Sequence, residues 1–170
     1  MEPRQQLEAI YDQHADALFA FLINLHRNED AAREVLQELF KKLAQQPECL
    51  KEARNPRSFL IRMAHRLAID LVRRRDTRNR YHQDFQDEQP KFFASTNDPD
   101  EGAVRTALEI ALSELPEEQR AVVHLKLWER FTFEQIAEAL DIPLNTAASR
   151  HRYGLDKLRK QLRPLYDEIQ

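Results

Sequence analysis

Apolar positions recur along this chain at intervals of three and four, the spacing of one face of an α-helix. Leu7, Ile10, Tyr11, His14, Leu18, Leu22 and Leu25 mark a first stripe, and Ala32, Val35, Leu36, Leu39, Phe40 and Leu43 a cleaner second one. Leu60, Met63, Ala64, Leu67 and Leu71 mark a third. Asn28-Glu29-Asp30 separates the first two helices, so the second should start near it. Pro47 ends that helix, and Asn55-Pro56 marks the boundary before the third. Three amphipathic helices, each with one apolar face, can bury one another as a small bundle.

The pattern breaks between about Tyr81 and Glu101. This stretch is polar and acidic and contains Pro90 and Pro99, so it reads as a linker. Phe85, Phe92 and Phe93 interrupt it as spaced apolar residues that either dock on a partner or pack locally.

Helical signals then resume. Val104 to Leu112 is one segment, and Pro116 suits a first-turn position ahead of Val122, Val123, Leu125 and Leu127. Glu117 and Glu118 favour the positive end of that helix. Thr132 and Gln135 have capping-box spacing and open a short helix to Leu140. Asp141-Ile142-Pro143 is a tight connection to a last helix, Leu144 to about Leu162, with Pro164 just beyond.

A short helix, a three-residue turn and a basic second helix is the helix-turn-helix arrangement. At roughly 100° per residue, Leu144, Ala147, His151, Leu155, Leu158 and Leu162 share one side of the last helix. Asn145, Thr146, Ser149, Arg152 and Tyr153 share the other, flanked by Arg150. Arginine, hydroxyl and amide groups in one stripe are the chemistry that reads base edges and holds phosphates. A solvated basic helix in an ordinary bundle has the same pattern.

The third helix carries a second patch. Residues 57–80 hold eight arginines against Asp70 and Asp76. Arg62, Arg66 and Arg73 fall close together on the wheel, with Phe59 near that edge and the apolar stripe turned away. Guanidinium groups beside an aromatic suit a phosphate backbone with unstacked bases. Arg73-Arg74-Arg75 also complements a helix C-terminus without any ligand.

Composition narrows the class. The 170 residues suffice for one ordinary domain or two small ones, and two glycines with 32% charged residues argue against an all-β fold. The net charge of −3 hides a sharp distribution. Residues 1–85 hold 15 basic and 13 acidic side chains, and 105–170 hold 10 and 11. Residues 86–104 set Lys91 against Asp87, Glu88, Asp98, Asp100 and Glu101. Local patches, not the total, therefore bear on nucleic-acid binding. Cys49 stands alone, so it neither staples the fold nor completes a zinc site. No stretch has the apolar length to cross a bilayer, and residues 1–6 lack a signal-peptide core, so a soluble cytoplasmic protein is expected. His14, His26, His65, His82, His124 and His151 form no His-x-x-x-His pair. No glycine-rich phosphate loop is present either. Neither an enzyme nor a cofactor is expected.

Four segments resemble the RNA polymerase sigma-70 family. Ala32-Arg33-Glu34-Val35-Leu36-Gln37-Glu38-Leu39-Phe40 resembles sigma region 2.2. Phe59-Leu60-Ile61-Arg62-Met63-Ala64-His65-Arg66-Leu67-Ala68-Ile69-Asp70, with the arginines behind it, is similar to regions 2.3 and 2.4. Leu115-Pro116-Glu117-Glu118-Gln119-Arg120 resembles the start of region 4. Glu134 to Leu140 with Thr146-Ala147-Ala148-Ser149-Arg150 resembles its helix-turn-helix. The resemblance spans nearly the whole chain in order and points to the two-domain extracytoplasmic-function (ECF) subfamily. It implies an all-α protein: a sigma2-like bundle over 1–80, an acidic linker over 81–102 and a sigma4-like helix-turn-helix domain over 103–170.

The resemblance also implies partners. Glu34, Gln37, Glu38 and Phe40 would meet core RNA polymerase at the clamp coiled coil of its largest subunit, and the second domain its flap region. Phe59, Arg62, Arg66, Arg73, Arg74 and Arg75 would bind the −10 element and hold the separated strand. Asn145, Thr146, Ser149, Arg150, Arg152 and Tyr153 would read the −35 element in the major groove. An anti-sigma factor is a further expected partner, and no membrane insertion is expected. Several positions depart from the family pattern. Glu34 stands for a usual Asp, Phe59 for Trp, Arg66 for Asn and Asp141 for a frequent Gly. In the last helix Ala147 replaces Val, His151 replaces Leu, Ala148 a basic residue and Tyr153 an Arg. Two missing cations predict a weak or unusual −35 preference. A different helix-turn-helix regulator, or a sigma-like interaction module with poor DNA readout, remain the competing readings.

Overall fold

A computed structural model describes residues 3–51, 53–79 and 99–169, and every regular element among them is an α-helix. In chain order these are α1 (Pro3–His26), α2 (Glu29–Gln45), α3 (Glu48–Lys51), α4 (Pro56–Asn79), α5 (Pro99–Ser113), α6 (Glu117–Leu127), α7 (Phe133–Leu140) and α8 (Leu144–Ile169). They make two units. The first carries α1–α4, and the second carries α5, α6, α8 and the larger part of α7. The all-α, two-domain expectation is met. Phe85, Phe92 and Phe93 of the expected linker, and Arg80, lie outside the described residues.

In the first unit, Arg27 ends α1 at φ 54°, its N–H donating to the Ile23 carbonyl at 2.7 Å. Asn28 then caps α2, its Oδ1 accepting from the Ala31 N–H at 2.8 Å. This short link lets α2 pack against α1, and both pack on α4. Leu18, Phe21, Leu22 and Leu25 of α1 are buried, as are Ala32, Val35, Leu39 and Leu43 of α2 and Leu60, Ala64 and Ala68 of α4. Each large side chain among them contributes about 1.5–3 kcal/mol relative to exposure. Phe21, fully buried, lies outside the predicted stripe, whereas Tyr11, inside it, is half exposed.

In the second unit, Ala111, Leu112, Leu115, Val123 and Leu158 form a core, with Leu108, Trp128, Leu155 and Leu162 packed around it. Arg120 is buried there. Its guanidinium donates to the Leu115 carbonyl at 3.0 Å and more weakly to that of Ser113 at 3.4 Å. It thereby satisfies carbonyls left open at the end of α5. Pro116 occupies the cap position ahead of α6 rather than its first turn.

Two helix limits differ from the sequence reading. Helix α5 starts at Pro99, upstream of the expected Val104, because Pro99 needs no donated hydrogen bond at a helix start. Helix α8 continues through Pro164 to Ile169. The proline withdraws one N–H donor from the ladder.

Candidate nucleic-acid interface

The first surface lies on α4. Its start is fixed by Asn55, whose Oδ1 accepts from the Ser58 N–H at 3.2 Å. Phe59, Arg62, Met63, Arg66, Leu67 and Asp70 of α4 face Lys42, Gln45, Gln46 and Cys49 across a cleft of about 640 Å³. The structure thus brings Phe59, Arg62 and Arg66 together. Met63 and Leu67, predicted to turn away with the apolar stripe, also line this cleft and give it an apolar floor. Cationic rims over an apolar floor suit a base with its phosphate. Cys49 is half-buried at the edge, its thiol donating to the Gln46 carbonyl at 2.9 Å.

The remaining arginines of α4 divide. Arg73 is exposed. Arg74 lines a second groove, of about 490 Å³, with Glu34, Gln37, Glu38 and Lys41 of α2. Arg75 donates to Glu34 Oε2 at 2.9 Å. Arg74 and Arg75 therefore sit with three of the residues singled out for the polymerase rather than with the Phe59 cleft. Phe40, the fourth of that set, points elsewhere: its ring packs on Tyr11 at 4.8 Å.

The second surface is the α7–α8 pair. Reciprocal hydrogen bonds of the Thr132 N–H to Gln135 Oε1 (2.9 Å) and the Gln135 N–H to Thr132 Oγ1 (3.2 Å) form the capping box that opens α7. The Glu134 N–H and the Thr132 hydroxyl hold the Glu134 carboxyl below its ordinary pKa. Asp141 adopts φ 55°, and the Ile142 N–H closes the turn on the Ala137 carbonyl at 3.0 Å. Asp tolerates this left-handed conformation better than most residues.

Helix α8 is then set by two close contacts. Ala147 is fully buried. Gly154 is also buried, and a Cβ there would lie 2.7 Å from Val123 Cγ2 of α6. His151 presents to the edge of Phe133 at 5.4 Å, and Lys126 lies 4.4 Å over the same ring while donating to the Phe131 carbonyl. The His151 Nε2 is buried without a hydrogen-bond partner. Burial first, and the Lys126 charge second, hold its pKa below the ordinary value.

The outward side of α8 exposes Asn145, Arg152 and Tyr153, with Thr146, Ser149 and Arg150 half-buried beside them. Ser149 donates its hydroxyl to the Thr146 carbonyl. Arg152 stacks over the Tyr153 ring at 5.0 Å. Arg150 is engaged within the fold, its Nη2 lying 3.1 Å from Glu118 Oε2 of α6. Gly154, Glu118 and Arg120 do not stand out in the sequence as determinants of this surface. Their partners lie on other helices, and only the spacing of α6 from α8 reveals them.

Among the described residues no cluster of His, Cys, Asp or Glu could hold a metal ion, and no helix is long and apolar enough to cross a membrane.

Comparison with known proteins places the chain in a family. Residues 10–78 match the family model for Sigma-70 region 2, and residues 111–160 that for Sigma-70, region 4. The chain is 31% identical over 161 residues to the ECF RNA polymerase sigma factor SigL of Mycobacterium tuberculosis, covering 94% of this chain and 90% of SigL. It is 24% identical over 174 residues to the ECF RNA polymerase sigma factor SigX of Bacillus subtilis, covering 97% and 88%. In fold it resembles the sigma factor RpoE of Bartonella quintana, solved in complex with the anti-sigma factor NepR. The TM-score is 0.71 at 21% identity, over 94% of this chain and 96% of that one.

Proposed function

The chain belongs to the sigma-70 family of RNA polymerase sigma factors, among the ECF members, and from that premise we propose how its surfaces divide the work of initiation. Members of this family are transcription initiation factors. The protein binds core RNA polymerase and promoter DNA in the cytoplasm, and an anti-sigma factor is its natural restraint. Residues 1–80 serve the polymerase and the −10 element, 81–102 link, and 103–170 serve the −35 element.

The cleft of Phe59, Arg62 and Arg66 is the observation that carries the −10 assignment. An aromatic, two cations and an apolar floor offset the cost of unstacking a base and hold its phosphate, a cost of a few kcal/mol. Arg73 extends the cationic track. Arg74 and Arg75 stiffen the groove against α2, next to the polymerase-facing Glu34, Gln37 and Glu38. Phe40 acts there through Tyr11, by holding α2 on α1. On α8, Asn145, Thr146, Ser149, Arg152 and Tyr153 face the −35 groove, with Arg150 at the margin. Few free cations there support a weak −35 preference.

Replacing Arg62 and Arg66 together by alanine tests the reading. The double variant is expected to bind core polymerase as the parent does and to lose promoter melting in a permanganate assay. Unimpaired melting would remove the −10 role from this cleft, and a parent chain that binds core polymerase without opening any promoter would leave the interaction-module reading in its place.

A further inference from the structure

We propose that Glu118 is a built-in brake on DNA binding: it occupies Arg150 in the free protein as a substitute for a backbone phosphate and gives it up when DNA arrives. The inference rests on the assignment of α8 to duplex DNA. The pair is asymmetric. Arg150 keeps its side chain only 26% exposed, whereas Glu118 is 69% exposed. The guanidinium is therefore held in place at the margin of the DNA-facing side, and the carboxylate is free to swing into water. Its oxygen sits 3.1 Å from Nη2, within the range of an N–H···O hydrogen bond that a phosphate oxygen could take over.

The position of Glu118 strengthens the argument. It lies in the first turn of α6, where backbone N–H groups and the helix dipole would themselves favour an anion. Glu117 and Glu118 fill that field with the protein's own charge. A phosphate approaching Arg150 must displace the Glu118 carboxylate. The effect weighs heavily because the DNA-facing side of α8 has one other arginine, Arg152, and that one stacks on Tyr153. The brake also suppresses sequence-independent binding, since phosphate contacts carry no sequence information.

The test uses the full chain and a 25-base-pair duplex of mixed sequence, followed by fluorescence anisotropy across a salt series, with Glu118→Gln, Arg150→Ala and the double variant. Exposed pairs of this kind are worth little, so Glu118→Gln is expected to tighten binding about two- to five-fold. Arg150→Ala is expected to weaken it and flatten the salt slope by about one phosphate. In the Arg150→Ala background, Glu118→Gln should regain only a minor part of its gain. Circular dichroism melts confirm that each variant is folded. If Arg150→Ala weakens binding and Glu118→Gln leaves it unchanged or weaker, Arg150 is a DNA contact but Glu118 only positions it, and the brake is refuted. If neither substitution changes binding, the assignment of α8 to DNA falls as well.

Discussion

Alanine at position 154 and alanine at position 102 should move stability in opposite directions, although both replace a helical glycine in the same unit. In a helix interior, glycine to alanine is worth about 0.8–1 kcal/mol in favour of alanine. At Gly102 nothing lies within 4 Å of the new Cβ, so most of that gain should appear. At Gly154 the Cβ would stand 2.7 Å from Val123 Cγ2 and 3.6 Å from Gln119 Cβ. Val123 is fully buried and, being β-branched in a helix, has one strongly preferred rotamer, so it cannot swing aside. Helix α6 or α8 must shift instead. Overpacking of this kind costs about 1–3 kcal/mol. Set against the propensity gain, the net cost at Gly154 is about 0–2 kcal/mol.

The measurement is urea unfolding followed by tryptophan fluorescence. Trp128 is the one tryptophan and packs against the core of the second unit, so its signal reports on that unit alone. This matters because two units need not unfold in one transition. The midpoint is expected to rise for Gly102→Ala and to fall for Gly154→Ala. In a Val123→Ala background the clashing methyl is gone, so Gly154→Ala should turn neutral or stabilising, with a coupling of about 1–3 kcal/mol. A stabilising Gly154→Ala in the parent chain would refute the close approach of α6 and α8. It would also leave the seating of α8 without its cause.

Two further outcomes follow from single side chains. His151→Leu is expected to stabilise the second unit by about 1 kcal/mol, since it removes a buried nitrogen without a partner. The parent should also lose stability as pH falls below about 6.5, the ordinary histidine value. The folded pKa is depressed, so the unfolded chain binds the proton more readily; the stability present above that value is lost as pH drops through the folded one. In His151→Leu that part of the slope should vanish from Trp128-detected unfolding between about pH 5 and 7, and an unchanged slope would assign it elsewhere. Asn28→Ala should cost the first unit about 1 kcal/mol by removing the α2 cap. It should be visible as a lower thermal midpoint by circular dichroism, with the Trp128 transition unmoved.

What the sequence disclosed, and what it withheld, follows from the range of each interaction. The Thr132 and Gln135 box closes over three residues, so spacing alone announces it, and the same holds for the break at Asn28 and for Asp141 in the turn. Helical periodicity located the stripes but not their centres. Phe21 is the largest fully buried side chain of α1 yet falls outside the predicted stripe, because a face seen by two neighbouring helices is wider than one heptad pattern. The candidate site was harder to read. Wheel geometry grouped Phe59, Arg62 and Arg66 correctly, since they share one face of one helix. It also grouped Arg73 with them, and the family resemblance added Arg75 to the same −10 set, whereas Arg75 is claimed by Glu34, 41 positions away. Arg150 likewise reads from the sequence as one more cation for DNA, and only the arrival of α6 shows that it already has an anion. A cation's sequence neighbours say whether it can reach a phosphate. Its partners in space decide what the phosphate must first displace, and for Arg150 that competitor is Glu118.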